Sequence, residues 1–552
     1  MIISSLEELQ NTPNLDQVIE CKLSMMFGSL ELAFNLICQC YQLQFLEIRL
    51  CGIDVIPESI FNLNNITDLS VPSNNLHTIP NSIVNLNNLT YLDISQNPIV
   101  ELPDNFGQLV KLIHLDISKT DITDIEVVSN LVNLNYLYIG MSSSIEYPKS
   151  LGRLVNITEL SLGHKELIAF PEFIYELVNL EFLTIYSHAP SFVISDSIGL
   201  LTKLTILDLT GTRSFHWISD SIKTLNLAHL DLSYSTIYLS ENICESTSLT
   251  TLFLTHQALE TIPVCIKNLV NLSTLGISNN RFQDIPDVIG ELFQLTELSL
   301  AYNNCHSLPS NFGNLKNLQR LFLSNNNFNI PSEVVGELSQ LYFLDLAYNQ
   351  CQQLPSNFSN LKNLTHLFLE YNNFSIFPEE ICSLFNLQIL DMSDNQLVQV
   401  SNNINRLTNL TELDLSFNRL TQLPATMNTL TKLTKIELIS NQIDSFPDIF
   451  NDLNDLTYLC LQQNCLTSIP DTICNLQQLT TLNLCFNNII QLPDNIGNLS
   501  SLSKLYLNDN QLITIPMSII QLVHLQTITT HNNPIEYLDN NVKQFLELIP
   551  TY

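Results

Sequence analysis

The sequence predicts an α/β solenoid of about 22 stacked rungs. Its strands should form a parallel sheet on the concave side, with short helical or extended segments returning the chain on the convex side. Three observations predict this. A phrase of the form L-x-x-L-x-L-x-x-N returns 22 times between Leu43 and Leu525. Its spacing is 23 residues nearly everywhere, with 22 after Leu112 and Leu227 and 24 after Leu180. Each unit carries seven apolar positions, which cannot enclose a core within 23 residues but can share one with the units above and below.

The elements follow in chain order. Residues 1–42 do not keep the period and are expected to be a helical cap over the first open core. Within them Phe27-x-x-Leu30-x-Leu32-x-x-Asn35 matches the phrase, either by chance or as a truncated first unit. Residues 43–538 form the solenoid. In the unit at Leu89, the alternation Leu89-x-x-Leu92-x-Ile94 is a short strand with its apolar side inward. Asn97 turns the chain, and Ile99 and Leu102 point inward again. Pro103 stands where a helical turn can start, because its missing N–H is not needed there, and Phe106 and Leu109 form the inner side of that turn.

The Asn position is filled by Asn74, Asn97, Asn280, Asn303, Asn326, Asn349, Asn372, Asn395, Asn418, Asn441, Asn464, Asn487, Asn510 and Asn533. A turn repeated at one place in a stack buries backbone N–H and C=O groups, and an inward amide can satisfy both kinds. This column is therefore expected to be a structural ladder. Units 112–257 are irregular. Their Asn position reads Thr120, Ser142, Lys165, His188, Thr212, Ser235 and Gln257, and the sole tryptophan, Trp217, lies among them. Two readings stay open there: drift of the repeat, or a bend or docking patch around His188, Pro190 and Trp217. Residues 539–552 are expected to be a capping helix.

These phrases resemble the leucine-rich repeat superfamily over roughly positions 43–540. The N-x-L-x-x-[IL]-P-x-x-[IF]-x-x-L tail is similar to the intracellular 23-residue class, which includes Ras-group scaffolds and the repeat arrays of polarity proteins. The resemblance implies a curved horseshoe that binds proteins and needs no cofactor. It also implies a small GTPase or a phosphatase module as partner.

On the concave side the third, fifth, seventh and eighth positions of each unit are expected to face outward. The fifth position is acidic in nine of 22 units, among them Asp345, Asp391, Asp414 and Glu437. Asp391, Asp414 and Glu437 follow in successive units and should form a ladder of like charge, which a basic partner would relieve. Tyr302, Phe322, Phe343, Tyr348, Phe368, Tyr371 and Phe417 share these outward positions, so aromatic anchors stand among the acids.

Charge narrows the function classes. Lys and Arg total 21 against 54 Asp and Glu, a formal net charge of −33, which argues against nucleic acid and anionic membrane surfaces. No ~20-residue apolar run suggests membrane insertion. The N-terminus has no basic stretch followed by an apolar one, so an intracellular, cytoplasmic location is expected. The 13 cysteines, such as Cys265, Cys382 and Cys474, mostly stand where an apolar residue would serve, which fits buried free thiols in a reducing compartment. No phosphate-binding loop, dinucleotide fingerprint, zinc-protease helix or nucleophile elbow occurs, and no metal-ligand spacing stands out. The expected function is a non-catalytic scaffold for a protein partner with a basic patch. The alternatives are a self-associating structural protein, or an adaptor for a ubiquitin ligase or small-GTPase complex.

Overall fold

The computed structural model describes all residues except 26–29, 141–144, 190–191, 213–218, 236–240, 447 and 550–552. Phe27, Ser142, Pro190 and Trp217 thus lie outside the described residues. The chain divides into two compact units, the first Met1–Ala258 with Ile262–Leu272, the second Leu259–Thr261 with Ser273–Tyr552. Each is a solenoid.

One rung of the second unit shows why the sequence folds this way. Leu410, Leu413 and Leu415 alternate inward around a three-residue strand, β19 (Glu412–Asp414), and all three are buried. Phe417 then takes a left-handed backbone (φ 53°) and the chain turns. Leu420 re-enters the core. Pro424 precedes a 3-10 turn, Ala425–Thr429, whose inner residue Met427 is buried, and Leu430 brings the chain back to Leu433. The proline costs nothing because its carbonyl, not an N–H, is used: Pro424 accepts from the Met427 N–H at 3.0 Å.

Each of the 22 phrases carries one strand, β3 (Phe45–Arg49) through β24 (Thr527–Thr529). Within the first unit β1 (Ile2–Ile3) to β12 (Thr251–Phe253) pair in parallel, each with the next in sequence, and within the second β13 (Thr274–Gly276) to β24 do the same. The strand registers keep position against position, so every column of the sequence becomes a row across the sheet.

Residues 1–42 differ from a purely helical cap. They hold two short helices, α1 (Leu6–Asn11) and α2 (Leu30–Ile37), and also two strands, β1 (Ile2–Ile3) and β2 (Glu20–Ser24), that extend the sheet ahead of β3. Val18, Cys21 and Leu23 are buried in the spacing of the repeat, 25 residues before Leu43, so a degenerate rung stands there. The match from Phe27 to Asn35 is fortuitous, since Leu30–Ile37 is helical. At the other end α3 spans Asn540–Glu547, with Asp539 accepting from the Asn541 N–H at 2.8 Å.

The cysteine expectation needs one correction. Cys244 and Cys265, in the 3-10 turns of neighbouring rungs of the first unit, are joined by a disulfide. A 21-residue separation brings turns of adjacent rungs into register, which the apolar reading of Cys265 overlooked. The other 11 cysteines are free, nine of them buried.

Candidate functional site

The Asn column is bonded in one pattern. Asn418 accepts from the Leu397 N–H (2.9 Å) and donates to the carbonyls of Met392 (2.9 Å), Leu415 (3.1 Å) and Ser416 (3.1 Å). It therefore ties its own turn to the rung before. Asn97 does the same in the first unit with Leu76, Val71, Ile94 and Ser95, and Asn533 does so at the last rung with Leu512, Leu507, Thr530 and His531. Asn74, Asn303, Asn326, Asn349, Asn372, Asn395, Asn441, Asn464, Asn487 and Asn510 each donate to the carbonyl 26 residues earlier. Asn280 accepts from the Leu259 N–H and donates to Ile277 and Ser278.

The sheet face of the second unit carries the residues singled out in sequence. Phe322, Asp345, Phe368, Asp391, Asp414 and Glu437 stand side by side on β15 (Arg320–Phe322) to β20 (Lys435–Glu437), one row in strict register. Phe343 lies in the neighbouring row, its ring 4.9 Å from that of Phe322 and 5.4 Å from that of Phe368. Tyr302, Tyr348, Tyr371 and Phe417 occupy a third row, at the ends of the strands, and are the most exposed of the set. All four have left-handed backbones, φ 52° to 55°. That conformation is uncommon for a bulky residue and swings the ring out from the sheet edge. Tyr348 and Tyr371 stack at 4.2 Å, nearly parallel.

Three features change the charge picture. Glu437 is not a free end of the acidic ladder, because Lys435 pairs with it at 2.5 Å. Asp391 and Asp414 accept from the N–H groups of Ser393 (2.9 Å) and Ser416 (2.8 Å), yet burial and the neighbouring carboxylates still push Asp414 up to about 6. The seventh position of the rung, expected outward, is mostly buried and small: Ser278, Ala301, Ser324, Ala347, Ser393 and Ser416. Glu370 stands in that column. Burial, with Asp391, Asp345 and Asp414 nearby, raises it to about 7, and its Oε2 is buried without a partner. The formal acid count therefore overstates the negative charge of this face at pH 7.

Arg320 is the cation of the aromatic end. It pairs with Glu297 at 2.9 Å and lies over the rings of Phe322 (5.0 Å) and Phe343 (5.4 Å). The aromatic end of the face is thus partly covered by Arg320, and at the acidic end Lys435 pairs with Glu437, while Asp391 and Asp414 make no ion pair among the described residues. There a hollow of about 210 Å³ is lined by Phe368, Asp391, Glu412, Asp414, Lys435 and Glu437. Among the described residues no group of His, Cys, Asp and Glu is placed to hold a metal ion. No described helix is long and apolar enough to cross a membrane.

The family model of the leucine-rich repeat matches residues 42–99, 270–328, 339–397, 408–466 and 444–489. The chain belongs to the leucine-rich repeat superfamily. Its fold is similar to that of a leucine-rich repeat protein of Leptospira interrogans, at 27% identity and TM-score 0.58, over 76% of this chain and 96% of that one. It is also similar to the ectodomain of the Arabidopsis thaliana receptor kinase GASSHO1/SCHENGEN3, solved with CASPARIAN STRIP INTEGRITY FACTOR 2: 25% identity, TM-score 0.52, over 100% of this chain and 77% of that one. The plant peptide hormone receptor RGFR1, solved with RGF2, shares the fold at 23% identity and TM-score 0.56, over 97% of this chain and 95% of that one. No curated protein matches the chain. Leucine-rich repeat folds are generally non-catalytic and bind proteins.

Proposed function

We propose that this leucine-rich repeat protein is a non-catalytic scaffold that holds a protein partner with a basic patch on the concave, strand-bearing face of its second unit. The carrying observation is the single row Phe322–Asp345–Phe368–Asp391–Asp414–Glu437, in which rings and carboxylates alternate and then give way to acids alone. A cation docked over Asp391 and Asp414 would relieve like-charge contact on neighbouring strands, and exposed rings at the strand ends supply apolar anchors. A small GTPase or phosphatase module with a basic surface would suit this face.

Charge reversal tests it. The chain carrying Asp391→Lys, Asp414→Lys and Glu437→Lys should lose the partner that the unaltered chain captures, and cross-links from that partner should fall on β15 to β20. Equal recovery by both chains, with the circular dichroism spectrum unchanged, would refute the reading.

We assign the chain to the cytoplasm, because 11 of 13 cysteines are unpaired and nine of those are buried. In that compartment glutathione and thioredoxin keep thiols reduced, so Cys244 and Cys265 would be dithiol until isolation. Alkylation in freshly lysed cells should label all 13; finding 11 would place the chain in an oxidising compartment instead. In that case the peptide-bound receptors of like fold would favour an extracellular peptide as partner.

A further inference from the structure

The left-handed turn residue that ends nearly every rung is missing in two successive rungs of the first unit. Leu50, Ser73, Gln96 and Lys119 hold this position with φ of 54° to 56°, and Tyr234 and His256 hold it again at 57° and 62°. Between them β8 (Glu159–His164) and β9 (Phe182–Ser187) run on for six residues and pair to their ends, Gly163 against Tyr186 and His164 against Ser187. The cause lies in the Asn column, which reads Lys165 and His188 here. Ser187 takes over the inward role, donating to the Leu167 carbonyl and accepting from the Ala189 N–H. The Tyr186 side chain is thereby carried onto the sheet face, where its hydroxyl bonds His188 Nε2.

The next rung has Gly211 at the turn position, φ 74°, with no side chain to fill the space. Two rungs on from Tyr186 stands Tyr234, its ring 4.9 Å from that of His256. The result is a pocket of about 540 Å³ on the sheet face of the first unit. This lies within the ~300–1,000 Å³ range of ligand pockets. Its rim carries Tyr186, His188, Tyr234 and His256, and its floor carries hydroxyls and one carboxylate, Asp208; among the described residues no Lys or Arg lines it. Asp208 Oδ1 accepts from the Thr210 N–H at 2.9 Å, and Oδ2 accepts from no donor among the described residues. Asp231 lies beside Asp208 on β11 (His229–Asp231), so a second carboxylate borders the floor.

We propose that this pocket is a binding site for an arginine side chain presented by a peptide segment. The guanidinium is planar and weakly hydrated, stacks on tyrosine rings, and can donate to Asp208 Oδ2 with further N–H groups to the floor hydroxyls. An ammonium would satisfy the charge but not use the ring faces in the same way. The irregular rungs thus make a pocket because a glycine and two overlong strands leave one rung's width open between tyrosines.

The proposal stands apart from the reading of the second unit, since its probe is a defined peptide and its variants leave Asp391, Asp414 and Glu437 in place. Calorimetric titration of the full chain with acetyl-Gly-Arg-Gly-amide should show saturable binding. The same peptide with citrulline, which keeps the shape and lacks the charge, should bind roughly tenfold or more weakly. Asp208→Asn should weaken the arginine peptide by a similar factor and leave the citrulline peptide unchanged. Gly140→Leu should abolish binding of both by filling the pocket. A Cβ at Gly140 meets only Ser161 Oγ, at 3.5 Å, so the fold accommodates it. Absence of binding up to millimolar peptide, equal affinity for arginine and citrulline, or full binding by Gly140→Leu would each overturn the assignment.

Discussion

Asn418 and Asn409 stand on the same rung and differ in setting, one inside the stack and the other bonding at its surface. Asn418 is buried and makes four bonds, so Asn418→Ala strands the Leu397 N–H and a set of carbonyls. The loss should be about 2–4 kcal/mol of unfolding free energy. Asn409 is half-buried, donates to the Phe385 carbonyl at 2.8 Å and accepts from Lys432 Nζ at 2.8 Å, both bonds lying at the solvent-exposed surface, so Asn409→Ala should cost under about 1 kcal/mol. Urea unfolding of both variants checks the contrast; equal losses would show that burial is not what matters. Asn65, Asn88, Asn133, Asn156, Asn179, Asn317, Asn363 and Asn386 make the same surface bond one rung back. This second ladder is in plain view as the Asn that precedes the first apolar residue of these rungs, but its meaning depends on knowing which carbonyl lies beneath. Glu370 is the other residue-scale case. Its folded value of about 7 lies above the ordinary 4.5, so its ionisation is disfavoured in the fold. The favourable contribution is present at low pH and is lost as pH rises through about 7. Glu370→Gln should therefore stabilise the chain at pH 8, by about 1–2 kcal/mol once solvent screening is discounted, and have no such effect at pH 4.

Rungs with Asn and rungs without it are different elements. In the regular rungs one amide joins two turns, and a left-handed residue ends a three-residue strand. In the irregular stretch hydroxyls substitute in part: Thr120 donates to the Ile117 carbonyl and Thr212 to that of Ile185. A hydroxyl has one proton to donate where an amide has two, so fewer carbonyls are tied. Backbone amides in rungs 112–257 should exchange with deuterium faster than those in 272–516, β8 and β9 excepted because their ladder is longer. Mass-spectrometric exchange that finds the two stretches equally protected would show that side-chain ties contribute little to local stability. The cap of residues 1–42 belongs at this scale too. Its extra strands escape the pattern because Val18 and Cys21 stand where the first two leucines belong, only Leu23 keeps its place, and no asparagine follows.

For the molecule as a whole, the acid on the second unit's face would couple binding of the proposed basic partner to pH. Asp414 at about 6 and Glu370 at about 7 are partly protonated near neutrality. A basic partner favours their ionised forms and lowers both values. Its affinity should therefore increase as pH rises from about 5.5 to about 8, with protons released on binding. Calorimetry in two buffers of different ionisation heat would measure that release; affinity flat across this range would mean that the partner contacts neither group. The formal charge of −33 is a poor guide to this face, because Lys435 and Arg320 pair with acids on it and burial favours the neutral form of Glu370.

The sequence alone determined the repeat, the strand positions, the inward Asn column and the row on which Asp391 and Phe368 stand. These depend on periodicity, and a period is a local property that stacking only multiplies. The tertiary structure decided which carboxylates keep their charge, which rings are covered by Arg320, where Cys244 meets Cys265, and that a break in the turn column opens a pocket around Asp208. Each of those is set by what the neighbouring rung places a few ångströms away, and desolvation, pairing and empty volume belong to the pair of rungs rather than to either one.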